Sequence, residues 1–405
     1  MKILHTSDWH LGKKLDGFDR TPEYKEVFDE IYSIVESENI DIVLIAGDLF
    51  DNFNPSNESM EILYGFCMRL TQYAKRLVIA IAGNHDSPER VELPDIFSRT
   101  RGIIFYGSPQ TTIANFTTES GFEIKNSEPL FIEIKATHFE KPLQLFLLPY
   151  LNEQRLLTFL GEVDTEKNIR NLLTEKLNNI TERHNYDAYK IGIAHLLVKS
   201  KEGELPLESD DEKPIRIGGA DAFIAKDFPE NWDYLALGHI HKQMSIQKKP
   251  YPIVYCGSPI ALSFSEANQE KFVEIIEFKK GKISTEHRVL KSARKITQLQ
   301  FDNLEAIETW CEENPKTLVR ASVNTQNVLS LSDTKHLLEK FPNIVPPLIP
   351  IFVNSEDTEL KMDAQTLMST DIRDLFKKYY AEKNNGVSPN ADILNLFEEV
   401  LATDV

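Results

Sequence analysis

Seven residues whose side chains could bind metal ions occur in short motifs, each directly after an apolar run that is typical of a buried strand. They are Asp8, His10, Asp48, Asn84, His195, His239 and His241. Oxygen and imidazole donors without a thiolate suit Mn²⁺, Fe²⁺ or Zn²⁺, and carboxylate and amide oxygens favour Mn²⁺ among these. The motifs therefore predict a centre for divalent metal ions.

Glycines and paired ligands characterise these motifs. Glycine precedes Asp48, Asn84 and His239, and would let the backbone approach closely or turn sharply there. The pairs Asp8-Trp9-His10 and His239-Ile240-His241 would place two ligands on one face of extended backbone, because strand side chains alternate. A single such residue at a strand end is more often a cap or turn residue than a metal ligand. Five such motifs in one chain are too many to be explained by chance. His5, in the middle of a strand, is expected to be structural.

The elements that must position these residues follow an α/β pattern. The first 100 residues alternate apolar runs with helical periodicity, as βαβ units require. Strands are predicted at residues 2–6, 41–46, 77–82, 131–134, 145–148, 191–194 and 234–237, and helices at 22–35, 60–70 and 168–183. Open α/β sheets gather ligands at the carboxyl ends of their strands, so motifs far apart in sequence can meet.

The length and pattern of the chain indicate three parts. A first domain, 1–290, ends with a hairpin at 271–289, and 291–355 alternates strands and helices (295–301, 304–313, 317–323 and 334–341). A helical segment, 356–405, has amphipathic helices at 371–380 and 391–401. The charged residues 199–214 are predicted to form a loop, and three prolines in 345–350 exclude a helix there.

Composition excludes several classes of protein. No apolar run approaches the ~18 to 20 residues of a membrane span, and the N-terminus is not a signal peptide, so we expect a cytoplasmic protein without membrane contact. The three cysteines are too few and too scattered for a disulfide framework and are expected to be buried. The net charge of −18 would repel nucleic acid if it were evenly spread. Either the substrate is small, or a local field from bound metals or a basic partner overrides that charge.

The order of the motifs, D-x-H, G-D, G-N-H-D, H and G-H-x-H, resembles the calcineurin-like metallophosphoesterases. Residues 2–13, 47–51, 214–219 and 255–260 resemble the nuclease branch of that family, whose members act with a coiled-coil ATPase. This resemblance implies a four-layer αββα phosphoesterase core over 1–290. It also implies a smaller α+β capping domain over 291–355 and a C-terminal helical segment, 356–405, that binds the ATPase.

The resemblance also implies roles for the motif residues. One metal would be held by Asp8, His10, Asp48 and His241, and the other by Asp48, Asn84, His195 and His239. Two such ions, expected to be Mn²⁺, would clamp a phosphodiester and activate water, with Asp48 as their bridge. His85 would be the acid that protonates the leaving oxygen, and Asp86 would orient its imidazole. Asp51 stands where archaeal and eukaryotic relatives carry a second histidine, so that helper is absent or replaced.

Three functions remain open at this point. The first is a DNA nuclease, with 3′–5′ exonuclease activity on duplex ends and endonuclease activity on hairpins and single strands, in DNA end processing, recombination and repair. The second is a stand-alone phosphodiesterase or phosphatase for a small nucleotide or a phosphoprotein, and Phe50-Asp51-Asn52 argues against the protein-phosphatase branch. The third is a non-catalytic scaffold, which an intact ligand set argues against. The residues after 290 favour the nuclease, since a minimal phosphodiesterase does not need them.

The nuclease hypothesis implies specific partners. No G-x-x-x-x-G-K-[ST] loop occurs, so ATP dependence would come from an ATPase subunit in a heterotetramer. A homodimer is expected through the helix at 60–70, which could equally be a core helix. DNA is the expected substrate, and Lys13, Lys14, Arg20 and Arg90 are candidate contacts, although each could equally be a solvated surface charge.

Overall fold

The computed structural model describes residues 1–151, 159, 166–200, 222–325, 329–352, 372–383, 389, 393, 394 and 397. In chain order, its strands are β1 (Lys2–Thr6), β2 (Lys14–Leu15), β3 (Phe18–Asp19), β4 (Ile42–Ala46), β5 (Leu77–Ile81), β6 (Ile103–Tyr106), β7 (Phe116–Thr117), β8 (Glu123–Glu128), β9 (Phe131–Lys135), β10 (Leu143–Leu148), β11 (Tyr189–His195), β12 (Val198–Lys199), β13 (Phe223–Ile224), β14 (Tyr234–Gly238), β15 (Met244–Gln247), β16 (Ile253–Tyr255), β17 (Phe272–Lys279), β18 (Lys282–Val289), β19 (Ile296–Phe301), β20 (Leu318–Thr325) and β21 (Ile349–Phe352). Its helices are α1 (Thr21–Ser37), α2 (Asn57–Thr71), α3 (Pro88–Glu92), α4 (Asp95–Ser98), α5 (Glu166–Arg183), α6 (Leu304–Glu313), α7 (Leu331–Lys340) and α8 (Ile372–Lys383).

Local sequence sets the ends of the helices near the predicted site. Pro22 lies in the first turn of α1, where its missing N–H leaves no hydrogen bond unmade. Ser56 caps α2 by accepting a hydrogen bond from the backbone N–H of Ser59. The helix α2 stops at Gln72, whose left-handed backbone cannot continue it.

Two mixed sheets form the core of the protein. The first has the strand order β18-β17-β1-β4-β5-β6, with β1, β4, β5 and β6 parallel. The second has the order β15-β16-β14-β11-β10-β9-β8-β7, with β10, β11, β14 and β16 parallel. The strands β4 and β5 of the first sheet are buried along their whole length, as expected of strands covered on both faces.

The sheets stack on each other and are covered by helices. Ile3, Leu44 and Ile79 of the first sheet share one apolar cluster with Leu145 and Ile193 of the second. The helices α1 and α2 pack on the outer face of the first sheet, and α5 packs on the outer face of the second. These layers confirm the predicted four-layer αββα core.

Contacts divide the described chain into two compact units. The first contains Met1–Gln298, Asn314–Arg320 and Pro342–Pro346, and the second contains Leu299–Glu313, Ala321–Phe341 and the chain from Pro347 onward. The strands β19, β20 and β21 form a three-stranded sheet, to which α6 and α7 are adjacent in sequence. The predicted boundaries at 290 and 355 and the capping role stay predictions.

The predicted elements recur with small shifts at their ends. The helix expected at 60–70 is α2, the one at 168–183 is α5, and the expected hairpin is β17 with β18. Residues 201–214 of the predicted loop, the motif at 214–219 and most of the predicted helix at 391–401 lie outside the described residues. Cys67, Cys256 and Cys311 are buried, as expected. Among the described helices, none is both long and apolar enough to cross a membrane.

Candidate metal centre

The five motif segments meet at one end of the two stacked sheets. The motifs after β1, β4 and β5 come from the first sheet, and those at the ends of β11 and β14 come from the second. Donor atoms of Asp8, Asp48 and His195 lie within 4.8 Å of one another, as do those of Asp8, His10 and His241. The predicted convergence therefore occurs, with strands of both sheets contributing ligands.

The backbone of several predicted ligands is left-handed rather than extended. The φ angles of Asp8, His10, Asp48 and His239 are 53°, 44°, 49° and 109°. The expectation that D-x-H and H-x-H pairs sit on one face of a strand is therefore wrong, since β1 and β14 end before the ligands begin. Each left-handed residue costs about 1–2 kcal/mol, and tertiary hydrogen bonds hold the turns. Asp8 N donates to Gly47 O at 3.0 Å, and His10 N donates to Asp48 O at 2.9 Å.

Two of the glycines before ligands are required by close approach. A Cβ atom on Gly83 would lie 2.1 Å from Asp48 Oδ1 and 2.2 Å from the backbone nitrogen of Asp48. A Cβ atom on Gly238 would lie 1.8 Å from the carbonyl oxygen of Ala46, which belongs to the other sheet. The glycines thus let the two sheets and their ligand loops approach each other, as the motifs predicted.

Asp48 lies at the centre of the cluster. Its Oδ2 atom is 3.3 Å from Nε2 of His10 and 3.4 Å from Nε2 of His195. Burial disfavours the charged carboxylate, but the imidazoles of His195 and His10 outweigh it and hold the pKa of Asp48 well below its ordinary value. Burial lowers and the charges of Asp48 and Asp8 raise the pKa of His195, with a net rise to about 9. One oxygen close to both histidines suits a ligand shared by two cations.

A backbone carbonyl orients His195. Nδ1 of His195 lies 2.9 Å from the carbonyl oxygen of Ala46, to which it donates, and Nε2 lies 2.8 Å from Oδ1 of Asn84. The His239 ring lies 5.6 Å away between centroids. Because Nδ1 donates to the Ala46 carbonyl, Nε2 is the nitrogen that would bind a metal, after giving up the proton it shares with Asn84 Oδ1. The second predicted ligand set, Asp48 with these three residues, is thus brought together.

Buried donor atoms without partners show that the site fits a cation. Asp8 is fully buried and His10 is 2% exposed. Within the described part of the chain, Asp8 Oδ2 has no hydrogen-bond partner, and His10 Nε2, although 3.3 Å from Asp48 Oδ2, does not have the geometry of a hydrogen bond to it. Leaving such groups unpaired costs about 1–3 kcal/mol each, which a divalent cation would offset. The donor set of carboxylates, imidazoles and an amide is compatible with divalent metals and does not select one of them.

His85 lies beside this cluster and is held by the backbone. Its Nδ1 atom lies 2.7 Å from the carbonyl oxygen of Asp51, and its ring is 4.7 Å from the His10 ring between centroids. The backbone N–H of His85 donates to Asp48 Oδ1 at 2.8 Å. Since Nδ1 donates to a carbonyl, proton exchange with a substrate would use Nε2.

Asp86 does not orient the His85 ring, contrary to the sequence-based expectation. Its carboxylate accepts hydrogen bonds from the backbone N–H groups of Gly83, Leu49 and Phe50, at 2.8 to 3.0 Å. Burial and the charge of Asp48 raise the pKa of Asp86 to about 6 despite these bonds. Asp86 therefore joins the loop after β5 to the loop after β4. The carbonyl of Asp51, rather than the carboxylate of Asp86, orients the His85 ring.

Glu266 is a site residue that the motifs did not predict. It is 1% exposed, and its Oε1 atom lies 3.1 Å from Nδ1 of His241. Burial disfavours the charged carboxylate of Glu266. The nearby Lys271 and His241 favour it more strongly and lower the pKa of Glu266 to about 2. Lys271 also donates to the carbonyl oxygen of His241 at 3.0 Å. A metal-binding histidine usually donates its second N–H to a carboxylate, but nothing in the sequence around Glu266 says that it is this one.

Replacing Glu266 by glutamine is expected to weaken metal binding. The amide keeps the shape of the side chain but removes the charge that orients His241 and strengthens its Nε2 as a donor. Loss of such a partner typically costs 10-fold to 100-fold in metal affinity. Titration calorimetry with Mn²⁺ on the purified variant measures this effect directly.

Glu274→Gln is the matched control for this prediction. Glu274 is also buried, at 3% exposure, but its Oε1 atom accepts from Gln243 at 3.0 Å rather than from a candidate ligand. We expect its Mn²⁺ affinity to equal that of the unmodified protein. Equal affinities for both variants would contradict the orienting role of Glu266.

Comparisons with known proteins place these observations in a family. Residues 1–243 match the family model described as calcineurin-like phosphoesterase. Over 408 aligned residues the chain is 31% identical to SbcD of the nuclease SbcCD from Bacillus subtilis (strain 168), covering 99% of this chain and 97% of that protein. It is 25% identical to SbcD of the nuclease SbcCD from Escherichia coli (strain K12), covering 100% of this chain and 98% of that protein. A solved dimetal phosphatase from Danio rerio aligns with a TM-score of 0.41 and 11% identity over 72% of this chain and 99% of that one, which is too little likeness for a functional inference.

Proposed function

Because the chain belongs to the calcineurin-like phosphoesterases, and within them to the SbcD proteins of SbcCD nucleases, we propose that it hydrolyses DNA phosphodiesters with two Mn²⁺ ions. At the coarser level it is a metal-dependent phosphoesterase and a nuclease subunit. The proposed activities are 3′–5′ exonuclease cleavage of duplex ends and endonuclease cleavage of hairpins and single strands. The observation that carries the proposal is the buried cluster of donors around Asp48, in a chain that aligns with nuclease subunits from end to end.

The proposed ligands divide into two sets that share Asp48. Asp8, His10 and His241 would complete one set, and Asn84, His195 and His239 would complete the other. When bound, two divalent cations supply a clamp on the phosphodiester and lower the pKa of a water molecule. Support for the shared position comes from Asp48 Oδ2, which lies within 3.4 Å of ring nitrogens from both sets.

The chain's own residues would orient the ligands and deliver a proton. The Ala46 carbonyl holds the His195 ring, and the Glu266 carboxylate holds the His241 ring, so that Nε2 of each is directed to the cluster. His85, held at Nδ1 by the Asp51 carbonyl, would carry a proton on Nε2 to the leaving oxygen. The donors around Asp48 are buried, so the charges among them interact more strongly than they would in water.

A cleavage assay separates this function from the alternative of a stand-alone phosphodiesterase. The assay compares hairpin DNA, blunt-ended duplex DNA and a chromogenic phosphodiester, each with Mn²⁺, with and without the ATPase subunit and ATP. We expect DNA cleavage that the ATPase and ATP stimulate on duplex ends. Turnover of the chromogenic ester with no cleavage of either DNA under any of these conditions would instead establish a small-molecule phosphodiesterase.

The proposed partner is an SbcC-like ATPase in a heterotetramer. The relatives are named as subunits of a nuclease complex, and this sequence has no phosphate-binding loop of the G-x-x-x-x-G-K-[ST] type. The helix α8 exposes Ile372 and Tyr379, at 55% and 58%, while Phe376 stacks on Phe397 at 3.9 Å between ring centroids. An amphipathic helix with exposed apolar side chains suits docking to a coiled coil.

Truncation after residue 360 is expected to abolish co-purification with the ATPase. It removes α8 and Phe397 but none of the donors of the metal centre. Mn²⁺-dependent cleavage of the chromogenic phosphodiester should therefore be retained. Affinity purification of the tagged ATPase measures the loss, and unchanged recovery of the truncated chain would exclude this docking site.

A homodimer is proposed as well, through α2 and the segment that follows β5. The helix α2 buries Leu63, Cys67 and Leu70 in the core of its own unit but leaves Met68 39% exposed, so its share in the dimer contact stays a prediction. The neighbouring segment exposes Leu93 and Phe97 at 76% and 81%. Neighbouring apolar side chains this exposed suit a contact with another protein, and we propose that this protein is a second copy of the chain.

Replacing Leu93 and Phe97 by glutamate is expected to shift the protein to monomers. Each charge would have to be buried without a partner in the dimer, which is costly. Analytical ultracentrifugation at micromolar concentration should show a dimer for the unmodified chain and a monomer for the double variant. A monomer in both cases would rule out the dimer.

A further inference from the structure

A cavity of about 340 Å³ lies beside the loop that carries the first two predicted ligands. Lys13, Lys14 and Arg320 supply three cations to its lining, and Asp16 supplies one carboxylate. Lys13 connects it to the metal centre, because its Nζ atom is 3.6 Å from Asp51 Oδ1 and that oxygen is 3.8 Å from Nδ1 of His10. In a chain with a net charge of −18, a cationic cavity at this place indicates an anionic ligand.

The cavity stands on a rigid base. Lys14 lies in β2, which pairs with β3 across a turn with left-handed backbone at Asp16. Leu15, between them, is 2% exposed and belongs to a buried cluster with Phe264 and Leu318. The hairpin therefore presents the Lys14 and Asp16 side chains from a fixed backbone, as a binding site requires.

The planar guanidinium group of Arg320 forms one side of the cavity. Its guanidinium lies 4.1 Å from the centroid of the Phe264 ring, and Phe264 itself is 5% exposed. The same guanidinium pairs with the Asp16 carboxylate, which fixes its plane. One face of the plane is thus covered by an aromatic ring. The Arg320 side chain remains 28% exposed, enough for a second planar group to stack on it.

The lining suits a nucleotide in a single strand. Lysine ammonium groups bind phosphate, an arginine plane stacks on an unpaired base, and the hydroxyls of Ser263 and Ser265 with the amide of Gln298 can bond to sugar or base edges. A role in stability alone does not account for the arrangement, since exposed ion pairs of this kind contribute about 0–1 kcal/mol.

We propose that this cavity binds the nucleotide adjacent to the cleaved phosphodiester, with its phosphate on Lys13 and Lys14 and its base stacked on Arg320. The proposal rests on the proposed DNA-hydrolysing function and deepens it. It implies that the strand is unpaired at this position when it reaches the metal centre, because a base inside a duplex cannot stack on a protein side chain.

Binding of a short, fluorescein-labelled single-stranded DNA to the full chain tests the phosphate contact. Anisotropy is measured in EDTA, so that no cleavage occurs, over a series of salt concentrations. Lys14→Gln should weaken binding about 3-fold to 10-fold and reduce the slope of log affinity against log salt by about 0.7, the value for one phosphate on a single strand. Lys282→Gln, which removes the same charge from the exposed β17–β18 hairpin, should leave that slope unchanged. Equal slopes for the Lys14→Gln variant and the unmodified chain would overturn the phosphate contact.

The conservative variant Arg320→Lys tests the stacking contact. It keeps the positive charge and removes the plane, so binding should weaken about 5-fold to 100-fold with an unchanged salt slope. On a strand of the same length built of abasic nucleotides, this variant and the unmodified chain should bind equally. A deficit of the same size on the abasic strand would overturn the stacking contact.

These results are distinguishable from a failure of the proposed function. If the unmodified chain with Mn²⁺ and the ATPase cleaves no DNA, the function is wrong. If it cleaves DNA while both cavity variants bind like the unmodified chain, only the nucleotide site is wrong.

Discussion

Replacing His85 by alanine is expected to lower kcat for Mn²⁺-dependent DNA cleavage by a factor of about 10² to 10⁴. The Nδ1 atom of His85 is held at 2.7 Å by the carbonyl of Asp51, and the ring lies beside that of His10. With Nδ1 held in this way, Nε2 is the nitrogen that would give a proton to the leaving oxygen in the proposed reaction. Alanine removes the proton donor, whereas the backbone N–H that supports Asp48 stays in place.

Two measurements separate this role from a structural one. Titration calorimetry should find Mn²⁺ affinity close to that of the unmodified chain, because no proposed ligand is removed. A chromogenic nitrophenyl ester, whose good leaving group needs no acid, should lose much less activity than DNA does. His287→Ala, on the exposed strand β18, is the control and should cleave DNA normally. Near-native DNA cleavage by the His85→Ala variant would refute the assignment.

Replacing Gly238 by alanine is expected to destabilise the protein and weaken the metal centre at the same time. The added Cβ atom would lie 1.8 Å from the carbonyl oxygen of Ala46 and 3.0 Å from Nδ1 of His195. The first contact is to backbone of the other sheet, which cannot rotate away, so the two sheets must separate locally. We expect a loss of about 3 kcal/mol in the free energy of unfolding, the upper end of the range for overpacking. Mn²⁺ affinity should fall as well, since the Ala46 carbonyl orients His195.

The chain offers a matched control in Gly65. It lies on the exposed side of α2, where an added Cβ atom would meet nothing within 4 Å. Alanine is a better helix former than glycine, so Gly65→Ala should raise the free energy of unfolding by about 0.5–1 kcal/mol. Urea denaturation of the metal-free proteins measures both changes. A Gly238→Ala variant as stable as the unmodified chain would contradict the inter-sheet contact.

Most elements of the core could be predicted from the sequence because their signals are local. The apolar run at 42–46 is long enough for a buried strand and too short for most helices, and the periodicity at 60–70 matches a helical face. The predicted residues of the site also come together, because each follows a strand in a motif of a few residues. The residues that bear on the site without such a motif were not predictable. Glu266 approaches His241 only because distant segments of the chain pack together.

Packing between the sheets decided the features that the motifs left open or predicted wrongly. Which strands join which sheet depends on contacts between residues far apart in the chain. The stacking of the two sheets therefore decides which motifs meet. The left-handed turns at Asp8 and His10 are stable because carbonyl groups of the loop after β4 accept hydrogen bonds from their backbone N–H groups. The alternation of residue types around Asp8 and His10 carries no information about that loop. Asp86 joins two loops instead of orienting His85 for the same reason. Short motifs thus identify the donors, because donor chemistry belongs to single residues. The geometry of the site depends on the packing of the whole core. The donors lie on separate loops, and only tertiary contacts between those loops set the distances and angles between the donors.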